Sequence, residues 1–209
     1  MFDAGTVRLM SGGLLAGTVA GILVLSWIVA KGRKVRSNVV AKREQALGAE
    51  QVWGVATVVV QLWSVGVLLM PAYFYAWPAV PSSDLWWMVQ VAGVVLWAVG
   101  IVLVDVAAWI LGRFLYTAIQ VTEGHRLIQE GPYRWIRHPM YTANVAMAFG
   151  FALAYLSPPL LALAVVLLAT AAYRARLEES LLRSPEAFGQ VYDEYVARTG
   201  RFLPKIRRR

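Results

Sequence analysis

Both histidines of this 209-residue chain, His125 and His138, fall in one segment, Glu123 to Tyr141, together with Tyr133, Arg137 and Tyr141. A second polar segment, Tyr173 to Glu179, carries Arg174, Arg176 and the adjacent carboxylates Glu178 and Glu179. Imidazole, carboxylate and guanidinium side chains can move protons, orient an anion, or grip a polar ligand through charge-assisted hydrogen bonds. On a helix, Arg174 meets Glu178 four residues on and Arg176 meets Glu179 three residues on. Glu178 and Glu179 themselves point about 100° apart, so one can pair with arginine while the other faces a ligand. Read alone, the same residues also describe a solvated helix end.

Several chemistries are excluded by what the sequence lacks. With no cysteine there is no disulfide, no thiolate zinc site and no cysteine nucleophile. Two histidines without a third nitrogen or sulfur ligand make a poor zinc site, so no metal is expected. No G-x-S-x-G elbow, P-loop or G-x-G-x-x-G fingerprint is present. Asp105 stands inside an apolar run, which makes it either a functional acid or half of a structural pair with a neighbouring arginine.

The elements that must position these groups are membrane helices. The chain is 59% hydrophobic and 15% charged, with mean hydropathy +0.57, far more apolar than a soluble domain. A span takes about 20 apolar helical residues, and the uncharged stretches predict five, over about 10–30, 52–73, 85–111, 139–156 and 159–174. A turn at Trp77 to Ser83 follows the second span. The last two form a short hairpin broken at Ser157-Pro158-Pro159, because proline removes amide hydrogens. The expected class is all-α, a single membrane domain over 1–209. The first span reads as retained rather than a cleaved signal, because its basic cluster follows it. Its Gly13, Gly17 and Gly21 form a face for close helix packing, used within the chain before dimerisation, and a monomer is favoured. Ser184-Pro185-Glu186 reads as the start of an amphipathic helix carrying Phe188, Val191, Tyr192, Tyr195 and Val196, which lies on the membrane or caps the hairpin ends.

Charge sets the orientation. The net charge is +8, and an outside N-terminus leaves only Arg8 of the basic residues outside, as the positive-inside rule demands. The C-terminus and both polar segments are then cytoplasmic, at the two ends of the hairpin. The positive charge is explained by topology and anionic lipid, and no nucleic-acid partner is expected.

The run from His125 to Tyr141 resembles the H-x-L-(x)3-G-x-Y-x-x-x-R-H-P-x-Y signature of isoprenylcysteine carboxyl methyltransferases. Arg174-x-x-x-Glu178-Glu179, followed by Phe188-Gly189, Tyr192, Tyr195 and Pro204, is similar to that family's C-terminal signature. The Glu-Glu pair and Pro139-Met140-Tyr141 also resemble phosphatidylethanolamine N-methyltransferases. The resemblance covers about residues 123–209, the expected catalytic region. It departs at Ala143, where glycine is usual, with Asn144 next, a change expected to narrow the pocket.

The resemblance implies S-adenosylmethionine as cofactor, held by His125, Gly131, Tyr133, Arg137, His138, Pro139, Tyr141, Glu178 and Glu179. Arg174 and Glu178 are the catalytic candidates, and Asp105, Asn144 and Tyr192 are candidates on the substrate side. A carboxylate acceptor needs only an orienting cation, Arg174; an amine acceptor must lose a proton and wants Glu178 or Glu179 as base. Both remain open, with a lipid-like or lipidated substrate entering from the bilayer. A membrane reductase using NADPH and a non-enzymatic scaffold are the further alternatives.

Overall fold

The computed structural model describes residues 3–32, 39–42, 47–75, 85–115, 120–122 and 126–205. Its helices are α1 (Ala4–Gly32), α2 (Leu47–Leu69), the single turn α3 (Pro71–Phe74), α4 (Trp86–Leu111), α5 (Pro139–Ala154), α6 (Pro158–Leu182) and α7 (Gln190–Arg198). Three stretches among the described residues are long and apolar enough to cross a membrane: Gly5–Trp27, Trp86–Leu111 and Pro158–Leu182. Many of their large apolar side chains are exposed, as Leu23, Val102 and Val165 are, and only lipid makes such a surface favourable. The expected second span breaks at Met70, because Pro71 has no amide hydrogen to continue the ladder, and α3 follows as a separate turn. The turn expected at 77–83 lies outside the described residues.

The fold is not purely helical. Strands β1 (Val39–Lys42) and β2 (Gln120–Thr122) pair antiparallel, with Val39 opposite Thr122 and Lys42 opposite Gln120. Three or four residues without a long alternating pattern give no legible strand signal. Their pairing joins the α1–α2 connection to the α4–α5 connection, which requires both to lie on one side of the bundle.

Helix α4 packs most intimately against α5, and glycine makes that possible. A Cβ at Gly93 would stand 2.7 Å from the Gly150 carbonyl oxygen, and one at Gly100 would stand 2.9 Å from that of Ala143. This is the small-residue approach of membrane helices, on a different helix pair from the one expected. Of the α1 glycines, Gly17 meets the Trp97 indole and Gly21 makes ordinary contact with Ile101, while Gly13 has nothing within 4 Å.

At the end of the bundle opposite the polar segments, Val7, Leu14, Val60, Val67, Phe151 and Tyr155 form a core. Polar groups inside it are satisfied: the Ser11 hydroxyl donates to the Ser64 carbonyl at 2.8 Å and lies 3.1 Å from the Tyr155 hydroxyl. Gln90 donates to the Ala154 carbonyl at 3.0 Å and to Tyr75 at 2.6 Å. Between α5 and α6, Ser157 caps α6 by accepting from the Leu160 amide at 3.4 Å.

Two boundaries differ from expectation. Helix α6 continues eight residues past Arg174, to Leu182. Ser184 does not start the tail helix: its hydroxyl is buried without a partner, and the chain folds back in turns, the Phe188 amide donating to the Leu182 carbonyl at 3.2 Å. Helix α7 begins only after Gly189, whose φ is +52°.

Candidate active site

The extension of α6 carries Arg174, Glu178 and Glu179 on regular helix beside the start of α5. Pro139 opens α5 at its first position, where the missing amide hydrogen costs nothing, and this fixes His138 and Tyr141 one turn apart. Their rings stack, with centroids 5.4 Å apart and planes 14° from parallel. Upstream, Gly131 begins a 3-10 turn, Gly131–Arg134, with φ +54°, a conformation that favours glycine, and the end of the Ile110 side chain lies against it.

The two neighbouring carboxylates divide their work as the helix geometry requires. Glu179 is 1% exposed and Glu178 is 34% exposed. Glu179 Oε1 accepts from Arg137 Nε at 2.9 Å and Arg201 Nε at 3.0 Å, and lies 3.2 Å from His138 Nε2. Its Oε2 accepts from Arg201 Nη2 at 2.7 Å. Arg176, its expected partner, is exposed. Glu178 Oε2 accepts from the Tyr141 hydroxyl at 3.1 Å and lies 3.6 Å from His138 Nδ1. The buried Arg174 donates through Nε to the same hydroxyl at 3.3 Å, its guanidinium 5.8 Å from the Tyr141 ring centre. Arginine, phenol and carboxylate thus form one chain of contacts, with the partly exposed Glu178 at its outer end.

The tail is bound to this cluster rather than laid over it. Gly200 pairs with Ile136 in a parallel bridge, the Arg137 amide donates to the Gly200 carbonyl at 2.9 Å, and the His138 amide to that of Arg201 at 3.1 Å. Thr142 donates to the Phe202 carbonyl at 2.9 Å, and Arg137 Nη1 to that of Thr199. From α7, the Tyr195 hydroxyl donates to the Tyr133 carbonyl at 2.6 Å. Burial pushes the Tyr195 phenol up to about 12, with Arg137 and Arg198 opposing. Burial, then the charge of Glu178, holds the Tyr133 phenol well above its ordinary value. Both stay neutral donors at physiological pH.

Tyr133, Arg137, His138, Pro139, Tyr141, Arg174, Glu178 and Glu179 therefore come together, and Tyr192 is buried against Tyr195, 5.9 Å between ring centres. Gly131 shapes the turn leading in. His125 lies outside the described residues. Asn144 sits one turn deeper on α5, donating to the Met140 carbonyl at 2.9 Å, and Asp105 is on α4 beside Gly21, apart from the cluster. Ala143 is fully buried and its carbonyl faces Gly100 of α4. Arg201 and Thr199 were missed: a basic residue in a basic tail carries no local signal that it will cross 22 positions to a buried glutamate.

The sequence model of the phospholipid methyltransferase family matches residues 88–190, from α4 through the Glu178-Glu179 pair to the start of α7. The chain is similar to this family across that stretch. Two relatives, each a probable protein-S-isoprenylcysteine O-methyltransferase, from Oryza sativa subsp. indica and subsp. japonica, are 31% identical over 129 residues. The match covers 60% of this chain and 66% of each relative's length. The solved structure of the eukaryotic intramembrane Ras methyltransferase ICMT (isoprenylcysteine carboxyl methyltransferase) superposes with TM-score 0.56 at 23% identity, covering 74% of this chain and 52% of that one. That likeness is one of fold. With its three long apolar helices among the described residues, the chain is an integral membrane helical protein that spans about two thirds of the length of the relatives it matches.

Proposed function

We propose that this chain is an S-adenosylmethionine-dependent membrane methyltransferase acting on a carboxylate carried by a lipid-like or lipidated substrate. The observation that carries the reading is the division of the Glu178-Glu179 pair: one carboxylate is used up inside the protein and its neighbour is turned outward beside stacked aromatic rings and a buried guanidinium. The donor set fits the cofactor. A partly exposed carboxylate can accept from ribose hydroxyls or the ammonium group, and the faces of Tyr141 and His138 suit a sulfonium cation. Tyr133, Arg137, Pro139, Gly131 and His125 complete the binding region, with Glu179 holding it in shape.

When bound, S-adenosylmethionine supplies an electrophilic methyl group on sulfur. The protein's own contribution is positional. An ionised carboxylate needs no proton removed, and Arg174, held by the Tyr141 hydroxyl, orients it; alignment of reactants to about 3–3.5 Å supplies much of the rate. Tyr141, His138 and Glu178 would hold the cofactor so that its methyl group passes to the oxygen that Arg174 orients, with a neutral thioether leaving. Tyr192 and α7 shield the cluster from water.

A second reading, N-methylation of a phospholipid amine, is favoured by one feature: Glu178 is exposed enough to take the proton that an amine must lose.

In the bilayer, five crossings account for the chain, α1, α2, α4, α5 and α6, with the N-terminus outside and the polar cluster cytoplasmic. The β1–β2 pairing supports this by requiring the α1–α2 and α4–α5 connections to share a side. Residues 123–209 form the catalytic region of a single, monomeric domain.

The test is thermal. S-adenosylmethionine at saturation should raise the melting temperature of detergent-purified protein, by about 2.7 kcal/mol of stabilisation at 100 times Kd; no rise rejects the reading. Labelled S-adenosylmethionine given to membranes should yield a lipid-phase product whose label is base-labile if a methyl ester and base-stable if a methylamine.

A further inference from the structure

Inward from the Tyr141–Arg174 contact, α1, α2, α4, α5 and α6 enclose a cavity of about 130 Å³. Two helices of the active cluster also wall it. Asn144, three residues along α5 from Tyr141, and Leu167, seven residues along α6 from Arg174, both line it. At 1.5 Å per residue the cavity begins about 5–10 Å from the cluster along the helix axes. It reaches the outer surface of α1 at Ile22, which lines it and is 44% exposed. The cavity thus lies on the two helices that carry the cluster and extends to the side of the bundle that faces lipid.

Plain hydrocarbon would not satisfy these walls. Gln61 lines the cavity, and its Oε1 is buried without a hydrogen-bond partner. Asp105 Oδ1 is also buried and unpartnered, and it stands beside Gly21, another wall residue. Thr18 by contrast is already satisfied, donating to the Leu14 carbonyl at 2.7 Å and accepting from Trp97 Nε1 at 3.3 Å. An unpaired buried acceptor carries a penalty that a ligand hydroxyl removes. A hydroxyl also suits a glutamine presented either way round, since it donates to the amide oxygen and accepts from the amide nitrogen.

We propose that this cavity holds the tail of the methyl acceptor, and that Gln61 selects a tail bearing a hydroxyl one to two helical turns from the reacting group. The identity of the occupant rests on the methyl-transfer reading; the preference for a hydroxyl rests on the cavity. The volume suits a branch or ring about the size of benzene, so selection acts on one unit of the tail and not on its whole length.

Two probes separate these ideas: N-acetyl-S-geranylcysteine, and the same compound with a hydroxyl on its first branch methyl. Dissociation constants are measured by tryptophan fluorescence on the full chain in detergent, which needs no turnover. The hydroxylated probe should bind about five-fold tighter. Gln61→Leu should bring the two within about two-fold while raising the melting temperature of the ligand-free protein, because an orphan acceptor is gone. Ala148→Leu, which fills the cavity from α5, should weaken both probes about five-fold or more. Equal or tighter binding of the plain chain to wild type overturns the proposal, as does a preference that survives Gln61→Leu or affinities untouched by Ala148→Leu. Co-purified membrane lipid that neither probe displaces overturns it as well. Failure of S-adenosylmethionine to bind would instead sink the functional reading and leave this pair of affinities standing.

Discussion

Where α1 and α2 meet the far ends of α5 and α6, packing is apolar with a few isolated polar contacts, such as Ser11 with Ser64 and Tyr155. Where α5, α6 and the tail meet, a single carboxylate collects Arg137, His138 and Arg201, and backbone amides of the α5 entry pair with Gly200 and Arg201. The first region is held by many small, interchangeable contacts facing lipid on their other side. The second is held by a hub, so its stability is concentrated in a few side chains. A membrane enzyme needs both: a bundle tolerant of lipid, and one end rigid enough to align two reactants.

The hub is the sharpest place to break that comparison. Glu179→Leu leaves the buried Arg137 and half-buried Arg201 guanidiniums without this carboxylate. Removing one partner from a buried ionic network costs about 3–5 kcal/mol. Proteolysis of the variant should release the segment after Arg198, and the melting temperature should fall well below that of any single apolar-to-alanine change in α1. A tail that stays protected would show that the backbone pairing alone holds it. Next in size, Gly100→Leu drives a side chain into the Ala143 carbonyl and Met147, an overpacking worth about 1–3 kcal/mol. It should lower thermal stability and, because α5 must shift, reduce cofactor affinity as well.

Glu178→Gln tests the other side of the division. Its carboxylate is a third exposed, so the stability change should stay under about 1 kcal/mol, while S-adenosylmethionine affinity falls about ten-fold through loss of a charge-assisted acceptor. Titration calorimetry in detergent checks it. Wild-type affinity in this variant would move the binding site elsewhere.

How much of this was visible in the sequence follows the same divide. The membrane helices were legible because hydropathy needs only length and composition, and α4 was placed within a residue. The pairing of one glutamate with arginine and exposure of the other was legible too, since adjacent helix positions cannot face the same way. Their partners were not. Arg201 reaches Glu179 through a fold-back of the chain that leaves no periodic trace, and the α4–α5 contact at Gly93, Gly100 and Gly150 joins residues some 50 apart. The capping signal also misplaced the tail, where Ser184-Pro185-Glu186 lies in turns and the helix begins only at Gln190.

The smallest expected effect separates the glycines of α1, which look alike in sequence. At Gly17 a methyl group would strike the Trp97 indole, and that ring is not free to swing: its Nε1 donates to Thr18 at 3.3 Å and its face meets Phe151 edge-on at 6.3 Å. Gly17→Ala should therefore cost about 1 kcal/mol, at the low end of overpacking because only one side chain must tilt. Gly13 has open space on the same helix, and Gly13→Ala should leave stability within about 0.5 kcal/mol or improve it slightly through helix propensity. Side-by-side melting curves of the two variants decide the matter. Equal losses at both positions would mean that α1 uses its whole glycine face against another molecule, since among the described residues nothing lies within 4 Å of an added methyl at Gly13.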